Sequence, residues 1–372
     1  TLVSSAIIGF KKTEDLSHKL SYIRISSKLN SFAHREFLMQ LYESISEKDK
    51  DNHLKSTILR QFEIMNNADA YGFWLKKFDK TADDAIKMLF NKGFTDREIS
   101  HYFALSYQLR RAFYFISNSL VGSSPSMKKL KKHLWYNVFT YNIGFYNEFL
   151  WNRMEDFSTL LLGETGTGKG TAAKAIGRSG YIPYDDKKHC FTQSFTRAFS
   201  SLNLSQYPET LLESELFGHT KGAFTGAVDD YQGVFDRCSP HGSILLDEIG
   251  EIPNHVQIKL LRVLQERTFS PVGSHETTRF NGRVIAATNR PKAQIIDGDV
   301  FRDDFYYRLC SDIIEVPPLR TRIREDESEL DNLLDFTIKK MTGTYSEKLI
   351  RKVKRIIDRE LGKDYPWPGN VR

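Results

Sequence analysis

Cysteine is scarce: Cys190, Cys238 and Cys310 are the only three in 372 residues, far apart and without metal-ligand spacing. That excludes a disulfide scaffold and a zinc module, and leaves reduced core thiols as the expectation. Long apolar runs are missing as well. No stretch reaches the roughly 18 residues that a membrane span requires, and no signal peptide opens the chain, so the expected location is cytoplasmic. Neither sign of charge dominates, with 53 Lys plus Arg against 47 Asp plus Glu. A net +6 spread over this length does not by itself argue for nucleic acid. What remains is ordinary soluble composition, 40% hydrophobic and 27% charged, in a chain long enough for two or three domains.

Residues 1 to about 118 carry apolar positions at helical spacing, as in Leu38, Leu41, Tyr42, Ile45 and then Leu54, Ile58, Phe62, Met65. From about residue 157 short apolar strands alternate with helices: 158–162, 199–204, 243–246, 283–287 and 312–316. Such alternation predicts a parallel sheet flanked by helices. After Pro317-Pro318 two helices follow, one ending at Gly343 and one capped by Ser346 and halted at Gly362, a small helical lid. The best boundary candidate is Gly122-Ser-Ser-Pro125. The predicted domains are therefore 1–118, 119–318 and 319–372, with the last read as cut short at Arg372 and the start at Thr1 as trimmed.

One strand runs directly into Gly163-Glu164-Thr165-Gly166-Thr167-Gly168-Lys169 and then into an Ala-rich helix. This is a P-loop in its proper context. Its glycines let backbone N–H groups face phosphate oxygens, the helix adds its positive end, and Lys169 neutralises charge. Where the general pattern has Ser or Thr for magnesium, this chain has Gly170, with Thr171 one place late. Either the metal relies on water and Asp247, or Thr171 is recruited. A second apolar strand ends in Asp247-Glu248, one carboxylate to hold magnesium and one to polarise the attacking water. The residues thus predict a magnesium-dependent nucleotide hydrolase.

The string Glu213-Ser-Glu-Leu-Phe-Gly-His219-Thr-Lys-Gly222-Ala223-Phe224-Thr225-Gly226-Ala227 narrows this further. It resembles the signature loop of the sigma-54-dependent transcriptional activators, bacterial members of the AAA+ ATPases, and the resemblance runs from about Val121 to Arg372. It implies an α/β AAA+ P-loop fold with a five-stranded parallel sheet and helical lid behind a mostly α-helical N-terminal domain. It also implies that residues 222–227 contact the sigma factor, with Phe224 and Thr225 exposed on a flexible tip. Further roles follow by resemblance. Asn203 would hydrogen-bond Glu248 and relay the nucleotide state, Thr288 and Asn289 would sense the γ phosphate, and Arg372 would close over the nucleotide. Arg302 and Arg308 would reach into a neighbouring subunit's site, and Val121 and Gly122 would lie beside the adenine. The implied partners are sigma-54 RNA polymerase and further copies of the chain in a ring, a hexamer. The alternatives are a nucleotide-switched regulatory binding protein and an AAA+ remodeller of another target.

Two segments stay outside this scheme. Residues 93–113 have the pattern of a helix-turn-helix, with Leu105-Ser106 at the turn and Arg110 and Arg111 on a second helix, although a packed helical hairpin is preferred. DNA contact through this stretch, or through a C-terminal domain beyond Arg372, stays open. The aromatics between Trp135 and Phe157 are read as the core of an inserted helix rather than a stacking platform.

Overall fold

The computed structural model describes residues 86, 87, 90, 91 and 93–371, apart from 297–299, 344–345 and 363–364. The helical periodicity read at Leu38–Met65, and Arg372, lie outside the described residues. The chain divides into two compact units. One takes residues up to Tyr114 with Val138–Arg153 and Ser179–Phe195; the other takes Phe115–Asn137, Met154–Arg178 and everything from Thr196.

The first unit is built on most of α1 (Asp96–Asn118). Gln108, buried on its inner side, donates to the Tyr146 hydroxyl at 2.7 Å and to Ser179 O at 3.0 Å. His101 sits between the Tyr181 hydroxyl and Asn147, beside Trp151, and burial holds its imidazole below the ordinary histidine range. Neither the helix-turn-helix nor the preferred helical hairpin over 93–113 forms here. α1 is continuous through Leu105 and Ser106, because the Ser106 hydroxyl donates to Tyr102 O one turn back and no breaker interrupts the pattern. Arg111 is buried, with a guanidinium N–H on Gly180 O, and is not offered to a groove. Of the aromatics after Trp135, Phe139 and Tyr146 are fully buried against each other, whereas Phe145 and Phe149 are exposed.

The second unit carries α2 (Pro125–Phe139) up to Asn137, then β1 (Thr159–Leu162), α3 (Lys169–Gly177), β2 (Phe199–Asn203) and α4 (Glu209–Phe217). β3 (Ser243–Asp247), α5 (Asn254–Glu266), β4 (Arg283–Thr288), α6 (Asp303–Leu309) and β5 (Asp312–Glu315) complete the sheet layer. The sheet has order β2-β3-β4-β1-β5 and is parallel throughout. Its central strands are buried along nearly their whole length, which is why they read as unbroken apolar runs rather than alternating ones. Strand positions match the expectation to within a residue.

Close packing sets several glycines. A Cβ on Gly177 would lie 2.4 Å from the Phe199 ring, so only glycine lets α3 lie against β2. Beyond Pro318 the chain forms α7 (Leu319–Glu325), α8 (Ser328–Thr342) and α9 (Glu347–Leu361). α8 stops at Gly343, φ 74°, the left-handed C-terminal position that suits glycine. α7 was absent from the sequence reading, since seven residues give too few turns for a periodic signal. Among the described residues, no helix is long and apolar enough to cross a membrane. The three cysteines are free thiols: Cys238 and Cys310 are partly buried and pushed up to about 12 by desolvation, while Cys190 is exposed and not a core residue.

Candidate nucleotide site and contact loop

Because the strands run parallel, their carboxyl ends share one edge, where ligands of such sheets bind. The register makes the edge level: Asn203 pairs with Asp247, Asp247 with Ala287, and Leu162 with Thr288. Gly163, Glu248 and Asn289 are the next residues out. Three separate stretches of sequence are thereby brought together.

The P-loop turns on Gly166 and Gly168, at φ 81° and 103°. A Cβ on Gly163 would lie 2.9 Å from both Val316 O and the Thr167 hydroxyl, so the loop's first residue has no room for a side chain. Thr167 ties the loop internally, its hydroxyl donating to Glu164 O at 2.8 Å. Lys169 is buried, and its ammonium donates to Gly163 O at 2.7 Å and Glu164 O at 3.2 Å. Burial lowers its pKa, while Glu248 and Asp247 pull the other way. The ammonium is therefore held by loop carbonyls that phosphate oxygens could outcompete. Gly170 and Thr171 are both exposed on the first turn of α3, and a Cβ at Gly170 would meet nothing within 4 Å.

Asp247 ends β3 and accepts from the Glu248 amide at 3.1 Å. Glu248 has φ 57°, unusual for a residue with a side chain, and its buried Oε2 has no hydrogen-bond partner. Burial raises its pKa, opposed by Lys169 and by the Asn289 amide, and reinforced by Asp247. Glu248 thus combines a left-handed backbone with one carboxylate oxygen left without a partner at the sheet edge. Asn203 does not meet Glu248 here: its side-chain oxygen accepts from the Ser205 amide at 3.1 Å and hydroxyl at 2.8 Å, capping the turn after β2. Asn289 Nδ2 reaches the Thr165 hydroxyl at 3.4 Å, and Thr288 is fully buried.

Arg302 caps α6 and makes a two-point ion pair with Asp304, at 3.1 and 2.9 Å, with its amide on Gln257. Arg308, near the end of α6, donates from Nε to Leu264 O at 2.8 Å.

Three contributors escaped the sequence reading. Arg320, at the start of α7, forms a two-point ion pair with Glu164 and holds that carboxylate below its usual range. Asn370 Nδ2 donates to Thr165 O at 3.0 Å, and the Val371 amide donates to Gly166 O at 3.0 Å, so the Trp367–Val371 turn is tied to the P-loop. Arg290 grips Glu251. Arg320 directly follows Pro317-Pro318-Leu319, a position from which a lid helix must start, and that was the available signal.

Residues 222–227 form a tight turn joined by Gly222 N to Ala227 O at 2.8 Å, with Gly222 and Gly226 at positive φ. Gly222, Thr225 and Gly226 are exposed, as expected of a tip, and Ala227 is buried. Phe224 departs from expectation: it is half-buried, its ring edge-on to His219 at 4.9 Å. Ala223 is likewise half-buried, and a Cβ on Gly273 would lie 2.6 Å from its own Cβ.

A P-loop, an acidic pair at the end of the neighbouring-but-one strand and a helical lid on a parallel five-stranded sheet define an AAA+ P-loop domain. Residues 149–315 match the family model for the sigma-54 interaction domain. That segment therefore belongs to the sigma-54 interaction domain family of AAA+ proteins. It is 38% identical over 262 residues to the Nif-specific regulatory protein of Azotobacter vinelandii, covering 70% of this chain and 44% of that one. It is 42% identical over 215 residues to the regulatory protein AtoC of Escherichia coli, covering 58% and 42%. The chain spans less than half the length of these curated relatives. Among solved structures, NtrX from Brucella abortus aligns with a TM-score of 0.48 at 22% identity, over 79% of this chain and 60% of that one.

Proposed function

We propose that this protein hydrolyses ATP as a ring, a hexamer, and uses the cycle to remodel sigma-54 RNA polymerase so that a promoter opens. The observation that supports it most is the shared sheet edge carrying the P-loop, Asp247-Glu248, Asn203 and Asn289, with α4 and then the 222–227 loop following Asn203 along the chain. Residues 1–118 would be regulatory, 119–318 the motor and 319–372 the lid.

In this reading the amides of Gly163, Glu164, Thr165, Gly166, Thr167, Gly168, Lys169, Gly170 and Thr171 cradle the triphosphate, and Lys169 leaves the loop carbonyls for its oxygens. Asp247 and Thr171 would hold Mg2+, which when bound would neutralise phosphate charge. Among the described residues no three His, Cys, Asp or Glu side chains form a preformed cage, so water and phosphate would supply its other ligands. Glu248 accepts the proton of the attacking water through its unpartnered oxygen. Asn203 would exchange Ser205 for Glu248 in one nucleotide state. Asn289 reads the γ phosphate, and Arg372 closes the lid. Arg302 and Arg308 act on the next protomer's nucleotide; a finger of this kind contributes about 10³ to 10⁵ in rate. Arg302 must exchange Asp304 to do so.

Steady-state phosphate release tests the motor. Lys169→Ala should abolish turnover, and Arg308→Ala should abolish it while sparing nucleotide binding. Mixing Glu248→Ala with Arg308→Ala should restore some activity at interfaces that combine one intact half from each. Absence of recovery at every ratio, with rings confirmed, refutes catalysis across the interface. Thr225→Ala should hydrolyse ATP yet fail to open a sigma-54 promoter.

A further inference from the structure

We infer that the imidazole of His219 is the seat on which Phe224 rests, making His219 a positioning residue that keeps the 222–227 loop lowered until the nucleotide site releases it. The inference deepens the proposed function and rests on its assignment of this loop as the contact element.

The loop tip is internally tied. Gly222 bonds Ala227 O and Ala227 bonds Phe224 O within the tip, and the Ala223 amide on Thr220 O joins the tip to its base. Its base is equally firm: the His219 and Tyr231 backbones exchange two hydrogen bonds at 3.0 and 2.9 Å, and the Thr220 amide donates to Val272 O. Phe224 on His219 and Ala223 over Gly273 are side-chain contacts between tip and base, beside the Lys221 amide on the Asp230 carboxylate at 2.7 Å. The His219 ring is itself immobilised from two sides. It stacks on Tyr231 at 5.6 Å, and its Nδ1 lies 2.6 Å from the buried Ser214 hydroxyl on α4. Tyr231 in turn donates to Glu215 on the same helix. The ring that holds Phe224 is therefore carried by α4, not by the loop.

α4 is coupled to the catalytic edge. Glu213 on α4 receives the Lys259 ammonium at 2.6 Å and lies 3.7 Å from His255, whose other nitrogen faces Glu209 at 3.5 Å. Lys259 and His255 belong to α5, which starts three residues after Glu251, in the stretch that follows Glu248. A shift of that stretch on nucleotide turnover would move α5, then α4, then Ser214 and the His219 ring. A single edge-on aromatic pair is weak enough for such a shift to undo: its ordinary worth is roughly threefold to tenfold in a docked-to-free equilibrium.

Two substitutions in the full chain separate a seat from a merely structural histidine. His219→Gln keeps a polar partner for Ser214 but removes the ring; His219→Phe keeps the ring and loses the polar tie. Hydrogen exchange over residues 220–228 without nucleotide should rise about threefold to tenfold in His219→Gln and stay near the parent in His219→Phe. Phe224→Ala should produce the same rise and add nothing to His219→Gln. ATP turnover of His219→Gln should stay within about twofold of the parent, and its co-sedimentation with sigma-54 should lose dependence on an ATP transition-state analogue. Unchanged exchange in His219→Gln, or additive effects of Phe224→Ala, overturns the seat. If the parent protein never captures sigma-54 while the exchange pattern holds, the seat stands and the proposed partner falls.

Discussion

Glu329→Ala should be among the most damaging single changes in the second unit. The Glu329 carboxylate is fully buried, Arg322 is 3% exposed, and the pair joins the two lid helices α7 and α8 to the segment before α2. One carboxylate oxygen accepts from the amides of Ser123 and Ser124 at 2.5 and 2.6 Å; the other accepts from Arg322 Nε and Nη2 at 3.0 and 2.6 Å. Arg322 also donates to Val121 O at 2.7 Å. A Cβ on Gly122 would lie 2.6 Å from the carboxylate, so the backbone passes directly over the pair. Truncating Glu329 strands a buried guanidinium and two amides, a loss of about 3–5 kcal/mol. Replacing both charges, as Arg322→Met with Glu329→Leu, should cost less than Glu329→Ala alone, because no buried charge is left unpaired. Urea unfolding of the parent, the single variant and the double variant, followed by tryptophan fluorescence, gives the comparison. A single-variant loss below about 1 kcal/mol, the range of exposed pairs, or a double variant worse than the single, refutes the reasoning. The pH dependence has a defined sign. Burial pushes the Glu329 carboxyl up, but the Ser124 amide and Arg322 outweigh it and hold it below the ordinary range. The contribution is therefore complete above the pKa of an unfolded glutamate and is lost as pH falls through the lower folded value.

His133 donates to Asp312 at 3.0 Å, and this bond raises the imidazole above its ordinary range. Its contribution, about 0.5–1 kcal/mol for a part-exposed pair, is complete below the unfolded histidine pKa and fades as pH rises through the folded one. The Tm gap between parent and His133→Asn should accordingly close as pH rises above about 6.5, the ordinary histidine value. Gly170→Ser should raise Tm, since a helical glycine costs up to about 1 kcal/mol and open space surrounds the site. If Gly170 is what limits the metal, the same variant lowers the magnesium concentration for half-maximal turnover; an unchanged value assigns the metal to Asp247 and Thr171. Arg320→Ala should change stability by less than about 1 kcal/mol, as both partners are part-exposed. It should nevertheless speed release of a fluorescent nucleotide in stopped flow, because Glu164 loses its ion pair to the lid and keeps only the Asn370 contact. Gly163→Ala should abolish nucleotide binding, its Cβ falling 2.9 Å from Val316 O.

Much of the second unit was legible before any coordinates. Strands such as Leu160-Leu161-Leu162 and Ile244-Leu245-Leu246 are apolar on both faces because they are buried on both, and the loops at their carboxyl ends carry the glycines and carboxylates that phosphate chemistry requires. α1 was misread in one respect. A helical hairpin, a helix-turn-helix and a continuous helix share the same apolar spacing, and only the path of the backbone through Leu105-Ser106 tells them apart.

Local chemistry, then, was decided by the order of residues: a phosphate loop, an acidic strand end and a glycine-flanked tip are short-range patterns whose function depends on backbone freedom and neighbouring side chains. Which distant groups meet them was decided only by folding. Arg320 and Asn370 lie 156 and 206 positions from Glu164 and still share its carboxylate. Phe224 reads as an exposed finger until the stacking of His219 on Tyr231 brings a ring beneath it. Such pairings depend on how sheet register and helix packing close space between segments, and no spacing along a chain encodes that closure.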